Sequence, residues 1–348
     1  MDLFKWCLSF TYFIGRLTGV INFEIDLKTG RGKITKRATI SAACSHIVIS
    51  TMMAFYVINI DRIVKLWRMS SYLQKYVVIV FGFFRIACVF LFFKRIWSDR
   101  RKFMKLFDSL RRQYSPEIIP FCRKTIFKKS FCFLMLHTAL IIIILTVMLG
   151  HARTTLDLAI LGNFIVLVVT NVIILQYFIA MVGIRGRYIL LIKEFQAIIS
   201  EIRSLNPNRI GVFVTTCCSL ADRLEKLAQS QSDLQALMER LSRSYQVQVV
   251  NLIITYYSNL VSFLLVLFTL NKHGASTEVY HKFVTILHFA IAGFWLIDFR
   301  INASSMFCLL DTHDKMVQLL SQRTSFQPGL DRRLEAVVRK EIEKFLSF

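Results

Sequence analysis

A few polar side chains fall inside stretches otherwise apolar enough to cross a bilayer: Arg85, Asp157, Asn163, Tyr256, Tyr257, Asn259 and His288. Polar groups are costly at that depth, so each marks either a bond between helices or a functional contact. Arg85 is a cation near mid-bilayer, with Asp157 and Asp298 as candidate ion-pair partners. Asn163 and His288 both donate and accept, and Tyr256 and Tyr257 add aromatic walls that carry hydroxyls. Together these residues could line an outward-facing pocket in which aromatic surface holds a small organic ligand and a few polar groups orient it. Hydrogen bonding within a helix bundle is the alternative reading of the same residues.

Covalent chemistry has no comparable signal. There is no phosphate-cradling glycine loop, GxSxG elbow, HExxH helix or paired-carboxylate constellation, and the seven His are scattered. The eight Cys show no CxxC or Cys/His ligand spacing, and the adjacent Cys217 and Cys218 read as ordinary reduced thiols. The expectation is therefore no enzyme, no catalytic residues, no cofactor and no metal site.

Composition says what holds these residues in place. With 55% hydrophobic residues, 31 Phe and a mean hydropathy of +0.52, the 348-residue chain reads as an all-α, polytopic membrane helix bundle. Hydropathy gives six transmembrane helices, at 39–60, 76–93, 130–150, 156–184, 247–270 and 283–302. Residues 3–22 are apolar but interrupted by Lys5 and Arg16, which suits a helix on the membrane surface better than a signal peptide.

A net charge of +22 would suit nucleic acid, but no such motif surrounds the basic residues. Topology accounts for them better. Of 44 Lys and Arg, 35 lie in 1–38, 94–129, 185–246 and 303–348, whereas 7 lie in 61–75, 151–155 and 271–282. The basic side faces the cytoplasm, which places the N-terminus inside and Asp298 and Arg300 near the inner end of span six as interfacial charges. The sequon Asn302-Ala303-Ser304 then lies at that inner end, unglycosylated.

This gives a domain plan: a cytoplasmic N-terminal segment 1–38, spans one to four over 39–184 with the basic loop 94–129, cytoplasmic helices 185–246, spans five and six over 247–302, and a cytoplasmic tail 303–348. The cytoplasmic insertion opens with a helix whose apolar face carries Ile189, Ile192, Phe195, Ile199 and Ile202, breaks near Asn206-Pro207-Asn208 and restarts toward Leu220. From there Leu220, Leu227, Leu234 and Leu241 recur every seven residues, interleaved with Leu224, Gln231, Met238 and Tyr245. That is an a/d seam running without a breaker into span five. At 1.5 Å per residue, 220–270 reaches roughly 76 Å, so about 40 Å projects beyond the hydrocarbon. The seam is satisfied either by helices of the same chain or by another subunit. Beyond span six, 309–320 reads as helical, Gln327-Pro328-Gly329 as a breaker, and 330–348 as a basic amphipathic helix.

The chain resembles the insect gustatory receptors of the insect chemoreceptor superfamily, most closely the fly subgroup with many receptors for bitter compounds. The resemblance rests on Ile21-Asn22-Phe23-Glu24-Ile25-Asp26, the basic loop after span two, Cys217-Cys218-Ser219-Leu220-Ala221-Asp222-Arg223, Gln246-Val247-Gln248 before span five, and the tail Gln322-Arg323-Thr324 with Leu330-Asp331-Arg332-Arg333-Leu334-Glu335. It implies a seven-helix subunit, N-terminus cytoplasmic, of a tetrameric ligand-gated nonselective cation channel in the plasma membrane of gustatory neurons. The implied partners are a small-molecule tastant, the lipid bilayer and other gustatory receptor subunits, with no nucleic acid. It also raises the intersubunit reading of the Leu220–Tyr245 seam, since that stretch is similar to part of the family's subunit anchor.

The family's seventh span, with Thr-Tyr, five residues and then Gln-Phe, has no counterpart here, and the match is expected to fade after Glu335. The sequence thus reads as truncated before the seventh helix. An alternative function follows, a non-conducting or regulatory subunit that associates with full-length receptors. A G-protein-coupled receptor is disfavoured, because six spans put both termini inside and no Asp/Glu-Arg-Tyr follows span three. A transporter is disfavoured by the lack of an inverted repeat or of paired broken helices.

Overall fold

A computed structural model describes residues 3–25, 31–66, 72–113, 115–150, 154–204, 210–273 and 279–321. Apart from one short hairpin, the described chain is helical: α1 (Leu3–Leu17), α2 (Lys36–Ile58), α3 (Ile60–Leu66), α4 (Tyr72–Ser98), α5 (Arg100–Gln113), α6 (Ile119–Gly150), α7 (Thr154–Arg203), α8 (Ile210–His273) and α9 (Val279–Ser321). The hairpin pairs β1 (Glu24–Ile25) with β2 (Gly32–Lys33) antiparallel, Glu24 opposite Lys33 and Ile25 opposite Gly32. Each of the six apolar stretches lies on helix, the first interrupted at Asn59, where α2 gives way to α3. Among the described residues, three helices are long and apolar enough to cross a membrane: Lys36–Ile58, Ile119–Thr146 and Leu156–Ile202.

The chain divides into two compact units. Unit 1 takes Met1–Asp108, Arg123–Ile179 and Arg243–Ala303, and unit 2 takes Ser109–Cys122, Ala180–Ser242 and Ser304–Phe348.

In unit 1, α1 ends at Gly19, whose φ of +71° suits glycine, and a Cβ there would strike the His46 ring. His46, on α2, donates from Nε2 to the Gly19 carbonyl at 3.2 Å and accepts from Trp97 Nε1–H at Nδ1 at 2.8 Å. These two bonds fix the neutral Nε2–H tautomer and tie α1 and α2 to α4, with Phe93 stacked on the imidazole at 3.8 Å. Thr35 caps α2 by accepting from the Ala38 amide at 3.1 Å. The hairpin is anchored where Asp108 accepts from the Gly32 amide at 2.7 Å, and Phe23 packs edge-on against Phe107 at 5.6 Å. The Ile21-to-Ile25 motif is thus the clamp that ties α1 to α4 and α5, whereas Asp26 lies outside the described residues.

In unit 2, α7 continues as helix from Ala180 to Arg203, and Gly186 lets it approach Ile118, just ahead of α6, and Cys122 of α6. Cys122 Sγ–H donates to the Val182 carbonyl at 3.3 Å, and Lys193 lies 4.6 Å over the Phe121 ring. The buried face here is Tyr188, Leu191, Phe195, Ile198 and Ile202, while Ile189, Ile192 and Ile199 are half-buried. The face expected from sequence is therefore rotated by about one residue, because Tyr188 packs inward against His313. Both Asn206-Pro207-Asn208 and everything beyond Ser321 lie outside the described residues.

Candidate functional site

The strongest polar assembly in unit 1 is one the membrane-depth residues pointed to only in part. On α9, Trp295, Asp298 and Asn302 recur at helical spacing and face α6 and α8. Asp298 is 5% exposed and takes the Lys129 ammonium of α6 at 2.5 Å, with Lys129 itself 2% exposed. Tyr256 of α8 donates its hydroxyl to the second carboxylate oxygen, and Asn302 Nδ2 stands 2.6 Å from that hydroxyl and 3.0 Å from the carboxylate. Lys129 also lies 5.5 Å from the face of Phe178 on α7. Trp295 and Phe299 meet the Tyr256 ring edge-on at 5.8 and 5.1 Å. Leu136, Ile174 and Leu252 complete the dry wall around the pair. One turn from Phe133, His137 donates from Nδ1 to the Phe133 carbonyl at 2.6 Å and accepts from Asn171 at 3.3 Å, joining α6 to α7.

The arrangement is a closed ion pair with its lone pairs used, not an open binding site. Asp298 was expected to be an interfacial charge, and the structure corrects this: it is buried and neutralised. Lys129, assigned to a basic loop, is the first helical turn ahead of the 130–150 run and points inward. The i,i+4 placement of Asp298 and Asn302 on an otherwise apolar helix was the sequence signal for the network. The position of Lys129 beside the apolar run was the signal for its partner.

The second polar assembly surrounds Arg85, which is half-buried on α4. It donates to Ser258 Oγ of α8 at 3.3 Å. Gly82, one turn earlier, leaves room for the Tyr56 hydroxyl, since a Cβ there would lie 2.7 Å from that oxygen. A Cβ on Gly162 of α7 would collide with the Met52 carbonyl of α2 and approach Tyr56. Tyr56 therefore fills a notch cut by two glycines, and Asn163, the residue after Gly162, is half-buried. Asp298 is taken by Lys129, and Asp157 Oδ1 is buried with no hydrogen-bond partner among the described residues. Neither carboxylate is the Arg85 partner that the sequence suggested.

The expected pocket residues thus divide. Tyr256 is committed to Asp298 and Asn302, and Tyr257, 64% exposed, points away from it. Arg85 bonds Ser258 and Asn163 is half-buried on α7, whereas the side chains of Asn259 and His288 lie outside the described residues. Leu220, Leu227, Leu234 and Leu241 are all buried within the chain, as are Leu224, Gln231 and Tyr245 of the same seam. Among the described residues no His, Cys, Asp or Glu cluster could hold a metal ion.

Comparison with known proteins places this bundle. The family described as 7tm Chemosensory receptor matches residues 8–348, so 336–348 lies within the match, where the sequence reading had it lost. The Drosophila melanogaster protein named "Putative gustatory receptor 59d" is 46% identical over 338 residues, covering 97% of this chain and 87% of the relative. The fly proteins named "Putative gustatory receptor 36c" and "Putative gustatory receptor 36b" are 28% and 27% identical, over 96% and 92% of this chain and 87% and 82% of their own lengths. These relatives are named as receptors rather than enzymes, and the apolar helices are those of a membrane protein. The chain belongs to the 7tm chemosensory receptor family.

Proposed function

We propose that the chain is a gustatory receptor subunit of the plasma membrane that detects small, bitter-type tastants and contributes to a ligand-gated cation path. The 46% identity to a fly protein named as a gustatory receptor, over 97% of this chain, is the observation that carries the reading. In this reading the N-terminus and residues 185–246 and 303–348 are cytoplasmic, and six spans lie within the chain. The bias of Lys and Arg toward those segments supports the orientation. Gustatory neurons are the expressing cells, and the working assembly is a homo- or hetero-tetramer with related receptors.

The tastant is held next to the Arg85 assembly, where the guanidinium that bonds Ser258 supplies positive charge and Tyr56 supplies aromatic surface. Asp157, whose Oδ1 keeps an unused acceptor, sits on the same helix as Asn163 and supplies a counter-charge for cationic bitter compounds. Tyr256 positions helices and does not touch ligand. Subunits meet through surfaces other than Leu220, Leu227, Leu234 and Leu241, which the chain's own packing covers.

The test is expression of the full chain, alone and with related receptors, in cells presented with a bitter panel. A tastant-evoked cation current is expected, together with an N-terminal tag reached by antibody only after permeabilisation. Tag staining on intact cells would overturn the orientation. Full surface expression without current in every combination would overturn the channel reading.

A further inference from the structure

Away from both polar assemblies, unit 1 carries an open groove of about 690 Å³ between α1, the hairpin and the first turns of α2. We propose that this groove seats the headgroup of an anionic phospholipid.

Depth is the first ground. The groove reaches Arg37 and Ser41 at the start of α2, and α2 is one of the membrane-length helices, so the groove lies where a bilayer's headgroups lie. Charge is the second. Among the described residues Arg16, Lys33 and Arg37 line it with one acid, Glu24, which already accepts from Arg16 at 3.4 Å and faces Lys33 across the hairpin. Arg37 is exposed and makes no ion pair with any described residue, so a phosphate would meet a fork of donors and an excess of positive charge.

The third ground is the apolar rim. Phe13 and Leu17 line the same groove at 64% and 65% exposure, and Ile40, 63% exposed, follows on α2. A soluble anion has no use for that rim, whereas acyl chains beside a headgroup do. The walls are also preformed. Arg16 donates to the Phe23 carbonyl at 3.0 Å, and Tyr12 accepts from the Ile25 amide at 3.2 Å, so α1 and the hairpin hold their spacing without the ligand.

The proposal uses neither the taste reading nor the orientation, because a lipid nanodisc offers the same headgroups on both faces. The full chain is placed in phosphatidylcholine nanodiscs containing a trace of photo-crosslinkable phosphatidylserine, with crosslinkable phosphatidylcholine as reference. Labelling is expected to map to 12–41 and to exceed the phosphatidylcholine probe. It should fall about fivefold in Arg37→Gln and about 25-fold in the Lys33→Gln, Arg37→Gln double variant. Arg37→Lys keeps the charge and should keep most of the labelling, which separates lost recognition from lost folding. Equal labelling by both probes, labelling mapped elsewhere, or labelling indifferent to the double variant would each overturn the assignment.

Discussion

The two polar assemblies of unit 1 lie on different sides of one helix. Tyr256 and Ser258 are two residues apart on α8, roughly 200° around the axis, so one faces Asp298 and the other Arg85. Around Asp298 a cation and an anion meet among aromatic, aliphatic and amide groups, and the charges of the pair cancel. Around Arg85 the described partner is a hydroxyl, and the groups packed nearby are a phenol and two glycines. The first arrangement holds four-helix contacts in place and has nothing left to offer a ligand. The second joins α4 to α8 through a guanidinium and a hydroxyl. Membrane proteins use intramembrane charge in both ways, and here sequence alone does not separate them, because hydropathy marks Arg85 inside one apolar run and Lys129 beside another without showing what either meets.

The largest effect is expected from breaking the closed pair. Asp298→Ala leaves the Lys129 ammonium buried without a counter-charge and should cost about 3–5 kcal/mol, read as lost thermal stability of the purified protein and reduced surface delivery. Replacing both partners, Lys129→Met with Asp298→Leu, should restore most of that loss, since an apolar pair of similar volume is neutral or better in a dry site. A single variant with near-normal melting would show the two groups to be solvated and the contrast with Arg85 to be false.

The next effect tests the notch. Gly162→Ala drives a methyl group into the Met52 carbonyl, a backbone atom that cannot swing aside, and should cost about 1–3 kcal/mol. Gly82→Ala meets only the end of the Tyr56 side chain, which can rotate, and the gain in helix propensity offsets part of the strain. Melting of the two variants side by side should therefore rank Gly162→Ala well below Gly82→Ala. Equal ranking would mean that Tyr56, not the helix backbone, sets the spacing.

Much of this was legible in the sequence and some was not, for identifiable reasons. The heptad from Leu220 to Tyr245 gave seven of its eight seam positions as buried, since a 3.5-residue repeat is read from spacing alone, and at the eighth Met238 is half-buried while Leu237 turns inward. Helix existence was legible for the same reason. Asp298 was misjudged because hydropathy places a charge by its distance from the end of an apolar run, and its partner Lys129 lies 169 residues earlier, where no local pattern connects them. The buried face of 188–202 slipped by a position because Tyr188 counts as half polar on any scale, yet stacks edge-on with His313. Gly82 and Gly162 carry no signal in the sequence, and only the approach of α2 shows that they make room for Tyr56.

A smaller effect belongs to Tyr256→Phe, which removes one hydroxyl from the closed assembly while keeping the ring between Trp295 and Phe299. Interhelical hydrogen bonds in membranes are worth about 0.6–1.7 kcal/mol, so a modest drop in melting is expected, with tastant response unchanged once surface levels are matched. A response lost at full surface level would move Tyr256 from positioning helices to holding ligand.

The smallest change in stability, and the sharpest change in function, is expected at Arg85. Arg85→Gln shortens the side chain out of reach of Ser258 and should lower stability by about 0.6 kcal/mol, the worth of one interhelical hydrogen bond. The lost charge, by contrast, should weaken any ligand whose acceptor the guanidinium meets, seen as a rightward shift of the tastant dose-response curve by about tenfold, with Arg85→Lys intermediate because it keeps the charge but not the fork. If Arg85→Gln instead lowers melting as far as Asp298→Ala does, then Arg85 is a second closed pair, and the two faces of α8 do the same job.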